Sequence, residues 1–149
     1  LDLTVNILTN HAVAERMIKV FGGEQMRPNI HIDDMVRVYK EGLEWPAEAI
    51  DGRIYNVGYH NFKVREIAEM VKGVIGPDIK IVTTPTNDNR SYHVSSERIK
   101  RELGFSAQHS LDDAVRDLRR AFAANKIPNS MTDDLYYNIK TMKKIPNLA

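Results

Sequence analysis

The sequence predicts an α/β chain: a small mixed sheet with helices packed around it. Two observations carry this. Short apolar runs of strand length alternate along the chain with segments whose apolar residues recur at helical spacing. The strand-like runs are few and short, so the sheet is too small to form a complete nucleotide-binding fold of its own. The chain's 149 residues, 42% hydrophobic and 28% charged, suffice for one compact domain of ordinary composition.

Each element has a local reason. Residues 3–16 place Leu3, Ile7, Leu8 and Val13 near helical spacing, which predicts a helix. Residues 17–21 are a short strand, and Gly22-Gly23-Glu24-Gln25 is a turn because glycine tolerates positive φ. Residues 29–32 read as a second strand, pairing with the first as a hairpin. Asp33 is expected to cap a helix running to about Trp45, with Val36, Tyr39 and Leu43 on its inner face and Pro46 at its end. Residues 53–57, between Gly52 and Gly58, read as a strand. Residues 64–74 form a strongly amphipathic helix with Val64, Ile67, Ala68, Val71 and Ile75 on one face, stopped by Gly76-Pro77. Residues 79–83 alternate as a half-buried strand, and residues 84–92 are a polar loop. A helix from Ser95 or Ser96 ends at Gly104. Ser110-Leu111-Asp112-Asp113 is a near capping box that starts a helix to about Asn125, and a weaker amphipathic helix covers 134–144.

Composition removes several classes of function. A formal net charge of +1 gives no basic surface for nucleic acid. The absence of cysteine excludes disulfides, thiolate catalysis and cysteine-ligated metals, and fits a reducing, cytoplasmic setting. No apolar run approaches the roughly 20 residues that span a bilayer, so no membrane partner is expected. His11, His60, His93 and His109 are scattered without metal-ligand spacing, and no metal is expected. Asp33 and Asp34 diverge on a helix, so joint chemistry by the pair is not expected. The chain opens on Leu1-Asp2-Leu3 without a Met, as if within a helix, and is expected to be cut from a longer protein.

Four strings, in order, carry a resemblance. They are Val20-Phe21-Gly22-Gly23-Glu24-Gln25-Met26-Arg27-Pro28-Asn29-Ile30-His31-Ile32-Asp33-Asp34, then Ile54-Tyr55-Asn56-Val57-Gly58, then Asp88-Asn89-Arg90-Ser91-Tyr92, then Arg101-Glu102-Leu103-Gly104-Phe105. Together they resemble the second half of the extended short-chain dehydrogenase/reductase family, the nucleotide-sugar epimerases and dehydratases. The third string is nearer the deoxysugar dehydratase branch. The resemblance implies that residues 1–149 are a substrate-binding domain, with the amino-terminal NAD(P)-binding Rossmann domain absent. It implies NAD or NADP in the parent enzyme, held by the missing domain, and no cofactor in this chain. A full-length homodimer is implied as well.

The implied partner is a nucleotide-diphosphate sugar. Its two phosphates call for arginine, whose planar fork makes paired bonds to phosphate oxygens. By resemblance Arg27 is the pyrophosphate-binding arginine and Arg90 a second phosphate contact in the polar loop. Asn6 matches a position near the sugar phosphate, Val20 and Phe21 match residues lining the base, and Tyr92 either hydrogen-bonds the ligand or packs. No catalytic residue is expected, so the chain alone is read as inactive. His31 is read as structural, on a strand leading to the Asp33 cap. Tyr136 and Lys140 have the family's catalytic spacing but sit far from its usual place, and are taken as coincidence. The alternative is a non-catalytic nucleotide-binding or protein-interaction module.

Overall fold

A computed structural model describes residues 1–88 and 90–145. Asn89, part of the third string, lies outside the described residues. In chain order the elements are α1 (Thr4–Glu15), β1 (Met17–Phe21), β2 (Met26–Asn29), α2 (Ile32–Gly42), α3 (Ala47–Ile50), β3 (His60–Lys63), α4 (Val64–Ile75), β4 (Lys80–Thr84), α5 (Glu97–Leu103), α6 (Leu111–Ala123), a 3-10 turn (Asp134–Tyr136) and α7 (Asn138–Met142).

The strands pair as two small sheets. β1 runs parallel to β4, with Met17 opposite Lys80 and Phe21 opposite Thr84. β2 runs antiparallel to β3, with Met26 opposite Lys63 and Asn29 opposite His60. β1 and β2 therefore do not form the expected hairpin. The Gly22-Gly23 turn, at φ of 76° and 109°, hands the chain from one sheet to the other. Gln25 braces this turn: its Oε1 accepts from Gly23 N at 2.7 Å and its Nε2 donates to the Phe21 carbonyl at 3.1 Å.

The main core lies where α1, α4 and α6 pack on the β1–β4 pair. Ile18, Val20, Ile67, Ala68, Val71 and Val115 are fully buried there. Full burial of each larger side chain contributes about 1.5–3 kcal/mol. The amphipathic phase of α4 is the one its sequence predicts, with Ile67, Ala68, Val71 and Ile75 turned inward. The box at the start of α6 closes as expected, Ser110 Oγ accepting from Asp113 N while Asp113 accepts from Ser110 N.

A second, smaller core joins Val38, Ile99 and Phe105. Here α2 departs from expectation. Its cap is His31, whose Nδ1 accepts from Asp33 N at 3.2 Å, and the helix begins at Ile32. Val36, Tyr39 and Leu43 are not its inner face: they are 50%, 72% and 90% exposed. Asp34 and Val38 are buried instead. The reason is Asp34, whose carboxylate accepts from Gln108 N and His109 N and pairs with Arg37 at 3.0 Å. Those donors come mainly from the loop before α6, and they turn the helix about its axis.

Three smaller differences follow the same pattern. Residues 53–57 make no strand pairing; Ile54 is exposed and Tyr55 is tied to Ala49 O and Glu102. Pro46 both ends α2's approach and caps the short α3. The tail helix expected over 134–144 breaks at Tyr137, whose φ of −128° and ψ of 106° are extended. Tyr136 and Lys140 therefore sit in different elements, and Lys140 Nζ is held by Asp134 at 3.3 Å and lies 4.6 Å from the Tyr137 ring centre.

Candidate substrate cleft

An open cleft of about 800 Å³ lies between the start of α1, β2 with the residues after it, and one side of α6. Its wall is mixed. Val5, Ile30, Leu111, Ala114 and Leu118 supply apolar surface, while Asn6, Arg27, Asn29, Tyr59 and Tyr92 supply polar atoms. Ligand sites commonly have this composition, an apolar lining with a few placed polar groups.

Arg27 is the cation of the wall, and it is held in place. It stands on β2, and its side chain is 18% exposed. Nη1 donates to two backbone carbonyls, Met26 O at 2.9 Å and Arg90 O at 2.7 Å. Nη2 faces the Asp88 carboxylate at 3.8 Å. The Tyr92 ring sits under the guanidinium, 5.2 Å from Cζ, within the range of a cation–π contact. β2 is fixed in turn by β3, by Tyr92 N on Met26 O and by Met26 N on Ser91 Oγ at 3.0 Å.

Arg90 is placed differently. Its side chain is 81% exposed, and it does not line the cleft. Nε and Nη2 fork onto the Asp88 carboxylate at 2.7 and 2.8 Å, and Arg90 N donates to the same group at 3.1 Å. These side-chain and backbone hydrogen bonds hold the Asp88 carboxyl well below the usual carboxylate range. The two arginines singled out in the sequence therefore meet at one protein carboxylate.

Of the other expected residues, Asn6 and Tyr92 line the cleft with Arg27. Val20 does not: it is fully buried in the main core, because residues 18 and 20 share the inward side of β1. Phe21, on the opposite side of that strand, is 60% exposed and is also outside the cleft wall.

Sequence reasoning missed the floor. His31 and His109 stack there with ring centres 4.7 Å apart. His31 is 5% exposed; its Nδ1 caps α2, and its Nε2 lies 3.4 Å from Asp117 on α6. Beneath, His109 Nδ1 is 3.2 Å from buried Asp34. Burial alone would raise the Asp34 carboxyl, but the amides of His109 and Gln108 and the Arg37 guanidinium outweigh it and lower it to about 2. A sequence signal for this arrangement did exist: two histidines, at 31 and 109, each a few residues ahead of an acidic helix start. Their stacking depends on α2 meeting α6, which local spacing does not report.

His31, Asp33 and Asp117 also bring possible metal-binding atoms within 4.8 Å of one another. One nitrogen of His31 is already engaged as the helix cap, and Asp33 is solvent-exposed. Exposed carboxylates gather often without an ion, so the trio carries no metal assignment.

Residues 4–58 match the NAD dependent epimerase/dehydratase family. The chain is 23% identical over 138 residues to a dTDP-glucose 4,6-dehydratase of Escherichia coli, covering 82% of this chain and 37% of that protein. It is 33% identical over 91 residues to a UDP-glucose 4-epimerase of Corynebacterium glutamicum, covering 59% of this chain and 27% of that one. Among solved structures, the UDP-glucose 4-epimerase of Thermotoga maritima with UDP-glucose superposes with a TM-score of 0.71 at 23% identity, over 83% of this chain and 40% of that chain. The chain thus spans well under half the length of these relatives. The family match spans the cleft-forming α1–β2–α2 segment, and the chain shares the fold of the Thermotoga maritima epimerase over 83% of its length.

Proposed function

We propose that this chain is the nucleotide-sugar-binding domain of an NAD(P)-dependent epimerase or dehydratase, and that Arg27 anchors the ligand's diphosphate at the cleft wall. The observation that carries this reading is the state of Arg27: a half-buried guanidinium on the cleft, oriented through Nη1 by two carbonyls. A cation fixed in this way costs little reordering when it binds an anion. Asn6 and Asn29 on the same wall offer amides for the sugar or phosphate, and the apolar surface along α6 suits a base or sugar face. Relatives named for UDP-glucose and dTDP-glucose make those two the first ligands to try.

The dinucleotide is assigned to the part of the relatives that this chain does not span. The residues described here do not suit it. The glycine turn after β1 leads into β2 rather than into a helix, so its amides are not stacked at a helix N-terminus as a pyrophosphate cradle requires. No chemical step is therefore placed on this chain. Its contribution is binding energy remote from the reacting carbon, which positions the sugar for chemistry elsewhere. The exposed stripe of Ile32, Val36 and Tyr39 on α2, continued by Leu43 just past its end, supports a further part of the proposal, that α2 faces the cofactor domain in the whole enzyme.

The test is titration calorimetry with UDP-glucose and dTDP-glucose. Arg27→Ala should weaken the tighter of the two by about 30- to 100-fold, the loss of a charged hydrogen-bonding partner worth roughly 2–3 kcal/mol. Equal affinity in both proteins would remove Arg27 from the binding reading.

A further inference from the structure

The Asp88 carboxylate stands behind the cleft wall and engages the cleft arginine, Arg27, together with Arg90. It lies 3.8 Å from Nη2 of Arg27 and receives a two-pronged contact from Arg90. Its backbone is pinned as well, since Gln25 Nε2 donates to Asp88 O at 3.1 Å and Asp88 N donates to Thr86 Oγ1 at 3.1 Å. Gln25 belongs to the glycine turn and is nearly buried, so the loop's attachment does not depend on the Asp88 side chain. A carboxylate and a phosphate compete for the same guanidinium donors, each accepting paired N–H bonds on two of its oxygens.

We propose that Asp88 is an internal competitor for the cleft arginine, Arg27, a residue that lowers affinity for any phosphate ligand and that must release Arg27 as the ligand enters. This rests on reading the cleft as a phosphate site. Two consequences separate it from a merely structural ion pair. Removing the carboxylate leaves Nη2 of Arg27 to the ligand, Nη1 keeping its two carbonyls, and deletes one repelling charge, so anion affinity rises. A neutral nucleoside meets neither the repulsion nor the arginines, so its affinity stays the same. Were Asp88 instead an orienting group that holds Arg27 ready, its removal would weaken anion binding, the opposite sign.

The experiment is calorimetric titration of the wild-type chain, Asp88→Asn and Asp88→Ser with inorganic pyrophosphate, thymidine 5′-diphosphate and thymidine. Thermal unfolding by circular dichroism accompanies it to show that the variants are folded. Either folded variant should bind pyrophosphate and the nucleotide about two- to fivefold more tightly, in line with the worth of an ion pair of this exposure, with thymidine unchanged. Unchanged or weaker anion binding in a folded variant overturns the competitor role and leaves the cleft reading intact, provided the wild type binds the nucleotide. If none of the three proteins binds either phosphate ligand, the cleft reading fails and the competitor role falls with it. Tighter thymidine binding in step with the anions also overturns it, because the effect would then be a general opening of the cleft.

Discussion

Asp34 is buried completely, yet it is charged, and that combination needs several donors at once. It has them: two amides, from Gln108 and His109, and the Arg37 guanidinium. With a folded-state value near 2 against an ordinary 3.8, the carboxylate favours the folded state above the higher value and loses that contribution as pH falls toward the lower one. Asp34→Asn should therefore cost on the order of 2 kcal/mol at pH 7 in urea unfolding. The gap from wild type should close between roughly pH 4 and pH 2; a gap that persists at pH 2 contradicts the assignment. At this scale the sequence was uneven. Arg27 stood out because it sits within a long ordered string and beside a glycine turn. Asp34 did not, because nothing next to it in sequence distinguishes it from Asp33, and its two amide donors arrive from more than 70 residues away. Val20 shows the converse: a residue within the strongest string that serves the core and not the cleft.

Helices with a clean apolar face were legible, and α2 shows where that logic stops. Its apolar residues at 32, 36, 39 and 43 form a regular stripe, but the polar side carries the buried carboxylate, and the carboxylate sets the phase. Val38→Ala should cost about 1–2 kcal/mol by leaving a space beside Ile99 and Phe105, whereas Val36→Ala should stay within about 0.5 kcal/mol. Equal losses in denaturant unfolding would restore the expected phase and contradict the observed one. Capping was readable because it is local: Ser110 and Asp113 close a box three residues apart. Ser110→Ala should lower stability by about 1 kcal/mol, read in the same unfolding experiment. Strand pairing was not readable. β2 finds its partner in β3, some 30 residues on, and β1 finds its partner in β4, because the Gly22-Gly23 turn redirects the chain in place of folding it back on itself.

For the molecule as a whole, the order of four short strings conveyed more than any one of them. It pointed to a family whose model matches residues 4–58 and to a fold that the chain shares with a solved epimerase. What order cannot convey is assembly in space: that α1, β2 and α6 bound one cleft, that two histidines 78 positions apart stack on its floor, and that two arginines meet at one aspartate. The proposed role of the cleft is to receive a nucleotide-diphosphate sugar through Arg27. The most direct measurement is nuclear magnetic resonance of the nitrogen-15-labelled chain titrated with dTDP-glucose and, separately, UDP-glucose. Saturable shifts should concentrate at Asn6, Arg27, Asn29, Tyr59, Tyr92 and His109 and be lost in Arg27→Ala. Shifts confined to the α2 stripe or the tail, or no saturable shift with either ligand, would contradict it.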